Sequence, residues 1–276
     1  MIKKHLLTCA LALVILVSTK LFIYSTPVKT ETEINTLIKA EKAVKRQRVL
    51  LEKERKALEK EEKEKYFSSL NFANETLPQD VNSVDRRMRR NLDRFSYHNL
   101  QSHKLHRIAK QWFPKIEPIL KKHGIPEDFK YMPLVESGLK SGTSHKGASG
   151  YWQFMPETAR SFGLKVNGQV DERQDIEKST EAAAKYIKAL YNKFGNWTLA
   201  AAAYNVGEGS LLKVMKRQRE DNYYLLSLNA ETASYIYKLI SMKEIIENPS
   251  IYGYRPASGR GMIAENTAEK SSDNRL

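Results

Sequence analysis

The stretch Tyr131-Met132-Pro133-Leu134-Val135-Glu136-Ser137-Gly138 sets one carboxylate at the end of an apolar helical run. Glu136 lies one turn after Met132, so its side chain projects from a largely buried helical face. It also occupies the last turn before Gly138, where the negative end of the helix dipole opposes ionisation. Desolvation and dipole both raise the pKa of such a carboxyl, which suits a general acid near neutral pH. A carboxylate at a helix edge, bonded to a backbone group or a cation, is the plainer reading of the same residues.

Outward from that stretch the pattern stays helical. Met88, Leu92 and Phe95 share a face, and Leu105, Ile108, Trp112, Ile116 and Leu120 follow at spacings of three and four. His123-Gly124 stops that helix and Ile125-Pro126-Glu127-Asp128 starts the next. Further helices are expected over Pro156 to Phe162, Asp175 to Phe194, Trp197 to Asn205, Ser210 to Gln218 and Asn229 to Glu247. No segment alternates with β-branched enrichment, so residues 85–252 are expected to form an all-α, mainly helical domain.

The flanks have different compositions. Residues 31–65 hold 11 basic and 9 acidic side chains with no Gly or Pro, which favours helix. Leu37, Val44, Leu51 and Leu58 recur every seven residues, but Glu41, Arg48 and Arg55 fill the second seam position. That is half a coiled coil, so residues 25–66 are expected to be a solvated helical spacer of a monomer, with self-association through 31–65 the weaker reading. Residues 67–84, with Asn71, Asn74, Pro78, Asn82 and Ser83, read as a linker. The polar, aperiodic residues 253–276 read as a disordered tail. Lys3 and Lys4 ahead of the apolar run Leu6 to Val17 mark residues 1–24 as an export signal, cleaved or kept as an anchor.

Composition removes several function classes. One cysteine excludes a disulfide scaffold and any Cys-rich metal module. There is no HExxH, no Gly-rich phosphate loop and no Cys/His cluster, so neither a metal nor a cofactor is expected. His103 and His106 lack a carboxylate pattern that would complete a metal site, and Ser149 lacks a nearby His/Asp pair. The net charge of +14 asks for an anionic partner, and an export signal argues against nucleic acid.

Two further stretches carry chemistry. Gly147-Ala148-Ser149-Gly150-Tyr151-Trp152-Gln153-Phe154-Met155-Pro156 is a small-residue loop running into aromatics and a helix start. Glycines let backbone amides approach a ligand, aromatic faces stack on sugar rings, and an amide such as Gln153 bonds hydroxyl or acetamido groups. The same aromatics would serve equally as core. Ala200 to Ala203 followed by Tyr204-Asn205 makes a close-packed helix ending in a polar pair, or simply a capped helix contact.

In this order the motifs resemble the transglycosylase SLT family, most closely its membrane-bound lytic murein transglycosylase D type, over about residues 85–252. Glu136-Ser137 matches the family's catalytic Glu-Ser, and Gly150-Tyr151-Trp152-Gln153 its Gly-Leu-Met-Gln segment, here leading into Phe154-Met155-Pro156. Asp171-Glu172-Arg173 with Ser179-Thr180, Ala203-Tyr204-Asn205, and Glu231-Thr232 with Tyr235 match three more. Leu228-Asn229-Ala230 stands where the family usually has Leu-Pro, and the LysM repeats of many relatives are not found in this sequence.

The resemblance implies a lysozyme-like fold and cleavage of the β-1,4 bond between N-acetylmuramic acid and N-acetylglucosamine of peptidoglycan, leaving 1,6-anhydro ends. It implies Glu136 as the single general acid and base, with Tyr204 orienting the acetamido group or Glu136. Ser137, Gln153, Phe154, Met155, Asn205, Glu231 and Tyr235 are implied as substrate-binding residues. A muramidase-type hydrolase using Glu157, Asp171 or Glu172 as second carboxylate is the nearest alternative. A non-catalytic, membrane-tethered wall-binding protein is the other. Under any of these readings the protein is exported to the bacterial cell envelope, and its charge is aimed at peptidoglycan carboxylates or an anionic membrane surface. The excess is concentrated in residues 85–122, with 11 basic and 3 acidic side chains.

Overall fold

The computed structural model describes residues 31–79 and 81–254. The export segment expected over 1–24 and nearly all of the expected tail lie outside the described residues. The described residues divide into two units, with the boundary between Tyr66 and Phe67. α1 (Glu31–Ser68) runs for 38 residues, all but Phe67 and Ser68 in the first unit, about 57 Å at 1.5 Å per residue. Its side chains face solvent along almost the whole length. Pairs at i,i+4 such as Arg55–Glu59 (2.7 Å) and Lys56–Glu52 (2.9 Å) contribute only a few tenths of a kcal/mol each. Among the described residues no helix is long and apolar enough to cross a membrane.

Residues 67–84, expected as a linker, belong instead to the body of the second unit. Leu70, Phe72, Leu77 and Val84 are buried. Strands β1 (Asn71–Phe72) and β2 (Glu75–Thr76) pair antiparallel, with Phe72 opposite Glu75. Ala73 and Asn74 make the turn at φ +53° and +63°. The hairpin is fastened at three points: the Ala73 amide donates to Asp128 Oδ2 (2.7 Å), the Lys243 ammonium donates to Asn71 Oδ1 (3.1 Å), and Glu75 accepts from the start of a distant helix. Phe67, at the end of α1, is buried beneath the Arg89 guanidinium, 4.2 Å from its ring centroid.

The mainly helical architecture expected from periodicity is the observed one. It comprises α2 (Asn82–Phe95), α3 (Tyr97–Leu100), α4 (Lys104–Lys122), a 3₁₀ turn (Glu127–Tyr131), α5 (Met132–Ser137), α6 (Pro156–Ser161), α7 (Ile176–Phe194), α8 (Trp197–Val206), α9 (Glu208–Gln218) and α10 (Thr232–Glu247). Capping explains the sharper boundaries. Asp175 accepts from the amides of Glu177 and Lys178 at the start of α7, and Gly195 ends that helix at φ +66°. Asn196 caps α8 through the Leu199 amide (2.7 Å).

Three helices form the core around the Glu136 stretch. α7 buries Ala182, Ala183 and Ala184, α8 buries Ala200 to Ala203, and the two helices pack closely because these side chains are small. α10 is buried on nearly every side, with Tyr235, Ile236, Tyr237, Leu239, Ile240 and Ile245 all sequestered. A helix apolar all round belongs at the centre, and α10 packs against α2, α8 and α5. Tyr254 closes the unit: it is buried and its hydroxyl donates to the Phe95 carbonyl (2.7 Å), so the domain reaches two residues beyond the expected 252.

Candidate functional site

α5 delivers Glu136. The helix has only six residues, begins with Pro133 in its first turn, and ends at Gly138 with φ +65°. The chain reverses there through a second left-handed residue, the buried Leu139 at φ +52°. Such a conformation costs a β-carbon-bearing residue on the order of 1 kcal/mol. The reversal leaves Glu136 at the exit of the helix, with part of its surface open while protein atoms crowd its carboxylate.

Tyr235 of α10, 99 residues away, donates its hydroxyl to Glu136 Oε1 at 2.5 Å. Burial pushes the Glu136 carboxyl up to about 7; the Tyr235 hydrogen bond opposes the rise, the charge of Glu231 adds to it, and Lys238 opposes it. Desolvation wins, as for a carboxyl in a poorly hydrated pocket. The Tyr235 phenol is itself held well above its ordinary range by burial and by Glu136, so it stays protonated and keeps donating. Glu231, Tyr235 and Lys238 stand at i, i+4 and i+7 on one side of α10's N-terminal region, a spacing that places them on a common face.

The 142–155 loop forms the wall next to Glu136. Ser137 Oγ lies 2.8 Å from the Tyr151 carbonyl and 3.0 Å from that of Pro133, so the hydroxyl braces α5 against the loop. Trp152 is fully buried and its indole N–H donates to Thr180 Oγ1 (2.9 Å). Gln153 takes φ +48°, and its side-chain amide is occupied by the carbonyls of Gly150 (2.8 Å) and Gly142 (3.3 Å). The Arg173 guanidinium clamps the loop from beneath. It donates to both Asp171 oxygens (2.8 and 2.7 Å) and to the carbonyls of Gly147 (2.9 Å) and Phe154 (2.8 Å). A β-carbon on Gly150 would stand 1.7 Å from the Arg173 carbonyl oxygen, so only glycine lets the loop lie this close.

α8 and α10 complete the arrangement. The Tyr204 hydroxyl donates to the Trp152 carbonyl (2.8 Å), while the Glu136 charge helps raise its pKa. Asn205 Oδ1 accepts from Thr232 Oγ1 (2.8 Å), and its amide nitrogen lies 3.4 Å from Glu231 Oε1.

Glu136, Ser137, Tyr204 and Tyr235 thus converge, with Asn205 and Glu231 joined beside them. The structure gives the two tyrosines their hydrogen-bond partners. The oxygen that accepts from Tyr204 is the Trp152 carbonyl, and the hydroxyl holding Glu136 is that of Tyr235. Phe154, expected to touch substrate, is buried, its ring packed between Tyr204 (5.9 Å) and Tyr186 (6.2 Å), because the aromatic after Gln153 turns inward with the loop. Met155, by contrast, is exposed.

Of the three candidates for a second carboxylate, Asp171 pairs with Arg173 and Glu172 with Lys178 (2.7 Å), and Glu157 is exposed on α6. The carboxylate whose charge reaches Glu136 is Glu231. Arg173, Thr232 and Lys238 join these residues in the structure. Lys238 was signalled by its helical spacing from Tyr235, and Arg173 by its place in the Asp-Glu-Arg motif. Among the described residues no group of three His, Cys, Asp or Glu side chains is arranged to hold a metal ion.

One glutamate with a raised pKa, held by a tyrosine beside a glycine-tightened aromatic loop, is what these helices bring together. Residues 115–227 match the family described as Transglycosylase SLT domain. Over 142 residues it is 37% identical to membrane-bound lytic murein transglycosylase D of Escherichia coli (strain K12), covering 49% of this chain and 31% of that relative. Over 75 residues it is 41% identical to peptidoglycan transglycosylase gp16 of Escherichia phage T7, covering 26% of this chain and 6% of the relative. The chain therefore spans about a third of the length of the first relative and a small part of the second. The crystal structure of the 70 kDa soluble lytic transglycosylase from Escherichia coli aligns at 17% identity with a TM-score of 0.44, covering 64% of this chain and 34% of that one.

Proposed function

We propose that this protein is a lytic transglycosylase acting on the glycan strands of peptidoglycan in the bacterial cell envelope, with Glu136 as its only general acid and base. The observation that carries this reading is the Glu136 carboxyl: held by Tyr235 at 2.5 Å and raised to about 7, it has a substantial protonated fraction at neutral pH. A proton donor with that pKa is matched to leaving-group protonation in glycoside cleavage.

Glu136 protonates the glycosidic oxygen as the bond to the anomeric carbon breaks. The substrate's own acetamido oxygen stabilises the cation that forms. Glu136, now ionised, takes the proton of the C6 hydroxyl, whose oxygen attacks the anomeric carbon and closes a 1,6-anhydro ring. No water is consumed and the carboxyl ends the cycle protonated. Asp171 and Glu172 are engaged by Arg173 and Lys178, which leaves substrate assistance as the simpler route. Tyr235 positions Glu136. Tyr204 and Ser137 fix the loop carbonyls of Trp152 and Tyr151, and Asn205, Gln153, Met155 and Glu231 border the sugar.

Mass spectrometry of products from isolated peptidoglycan tests the proposal. The full chain is expected to release 1,6-anhydro-muropeptides. Glu136→Gln is expected to lower the rate by about 10²–10⁴, the usual worth of a positioned acid–base group. Products one water heavier would identify a hydrolase instead, with Glu231 the first candidate for the second carboxylate, and full activity in Glu136→Gln would refute the assignment.

A further inference from the structure

We infer that the cleft at the opposite end of α8 from Glu136 is an accessory site for an N-acetylated sugar of the same glycan strand. The inference rests on the peptidoglycan reading above. Trp197 opens α8 and Tyr204 stands seven residues later, so the cleft lies about 10 Å along the axis from the nearest catalytic-side tyrosine. Its wall is assembled from three separate regions: the hairpin turn at Asn74, the end of α4 with the 3₁₀ turn (Glu117, Lys121, Gly124, Glu127), and Trp197.

Trp197 is half-buried and stacked on Tyr191, with centroids 3.8 Å apart and planes 18° from parallel, and Phe129 stands edge-on at 5.4 Å. The indole is therefore fixed before any ligand arrives, and ordering it on binding costs little. Glu117 and Glu127 both accept from the buried Lys130 ammonium, at 2.9 and 2.5 Å, which holds two carboxylates at the cleft while leaving oxygens free to receive hydroxyl protons. The backbone amides of Trp197 and Thr198 are already occupied by Glu75 (2.7 and 2.8 Å), so the helix start offers no anion site.

These groups select the ligand by exclusion. Two carboxylates disfavour a phosphate, Lys121 and Lys130 disfavour a cation, and the polar rim disfavours a wholly apolar ligand. A sugar meets every group: its C–H surface lies against the exposed part of the indole, its hydroxyls donate to Glu117 and Glu127, and its acetamido group pairs with the Asn74 amide. A second contact on one polymer raises the effective concentration of the strand at Glu136 without any change in the chemistry there.

The test is binding of the full chain carrying Glu136→Gln to insoluble peptidoglycan, so that the polymer is not consumed. Adding Asn74→Gly, which keeps the left-handed turn while removing the amide, or Trp197→Ala is expected to raise the apparent Kd about five- to tenfold. The same loss is expected on glycan strands stripped of stem peptides. With Glu136 intact, Asn74→Gly is expected to leave cleavage of short soluble fragments unchanged while raising the apparent KM on the polymer. An unchanged Kd in Asn74→Gly and Trp197→Ala would overturn the inference, as would a loss confined to strands that retain their peptides. Because the binding readout needs no turnover, a failed product assay and a failed accessory site are told apart.

Discussion

At the scale of single residues the site is a contest over one proton. Burial and the Glu231 charge raise the Glu136 pKa, while the Tyr235 hydrogen bond and Lys238 lower it. If Glu136 must be protonated to act, activity falls as pH rises through about 7. Glu231→Gln removes a raising influence, so the alkaline limb of the pH–rate profile is expected to move to lower pH. Lys238→Met is expected to move it higher. Limbs that stay in place in both variants would show that another group controls the profile.

The same shift sets a stability trade at this residue. With an unfolded value of 4.5 and a folded value of about 7, the folded state holds a proton that the unfolded state releases between those pH values. The wild-type residue therefore costs nothing below pH 4.5, and its cost grows to on the order of 3 kcal/mol above pH 7. Glu136→Gln does not titrate and can still accept from Tyr235. It is expected to unfold at a higher temperature than wild type at pH 8, with the gain vanishing at pH 4. A variant less stable than wild type at pH 8 would contradict the desolvation account.

At the scale of elements, residues 67–84 tie α8 and α10 together. Glu75 accepts from the Trp197 and Thr198 amides and from Thr198 Oγ1 (2.6 Å), so the hairpin caps the helix that ends in Tyr204-Asn205. Asp128 ties the same hairpin to Lys243 of α10. A protein begun at residue 67 is expected to fold and keep its activity on soluble fragments. One begun at residue 85 loses buried Leu70, Phe72 and Leu77 and is expected not to fold cooperatively. Phe72→Ala alone is expected to cost about 3–5 kcal/mol in denaturant unfolding. An active, cooperatively folded fragment beginning at residue 85 would refute this.

These residues also mark where the sequence is legible. α7, α8 and α10 could be read because their apolar spacing and their caps, Asp175 and Asn196, are local signals. The Glu136 site could be read because several short motifs occur in a fixed order. The hairpin could not: its apolar residues are scattered among Asn and Pro, and its partners lie 55 and 122 residues away. The Tyr235–Glu136 bond was hidden for the same reason. Position in a motif placed Tyr235 near the substrate, whereas only the packing of α10 against α5 reveals that it holds the acid.

At the scale of the whole molecule the +14 charge is unevenly distributed. The exposed Arg86, Arg90 and Arg94 on α2 belong to the stretch that carries most of the excess. Fields from exposed charges are long-ranged only at low salt: the Debye length falls from about 14 Å at 0.05 M to about 4 Å at 0.5 M. The sugar contacts proposed around Glu136 and Trp197 are short-ranged and largely independent of ionic strength. Binding of the Glu136→Gln chain to peptidoglycan is therefore expected to weaken several-fold across that salt range and then level off at a plateau set by the sugar contacts. Replacing Arg86 and Arg90 by Glu is expected to flatten the salt dependence while leaving the plateau in place. Turnover of short, uncharged glycan fragments by the wild-type chain should not follow the same curve, because no field is needed to bring a small neutral substrate to the groove. Binding that is indifferent to salt in a sedimentation assay would mean that the charge on α2 serves solubility alone.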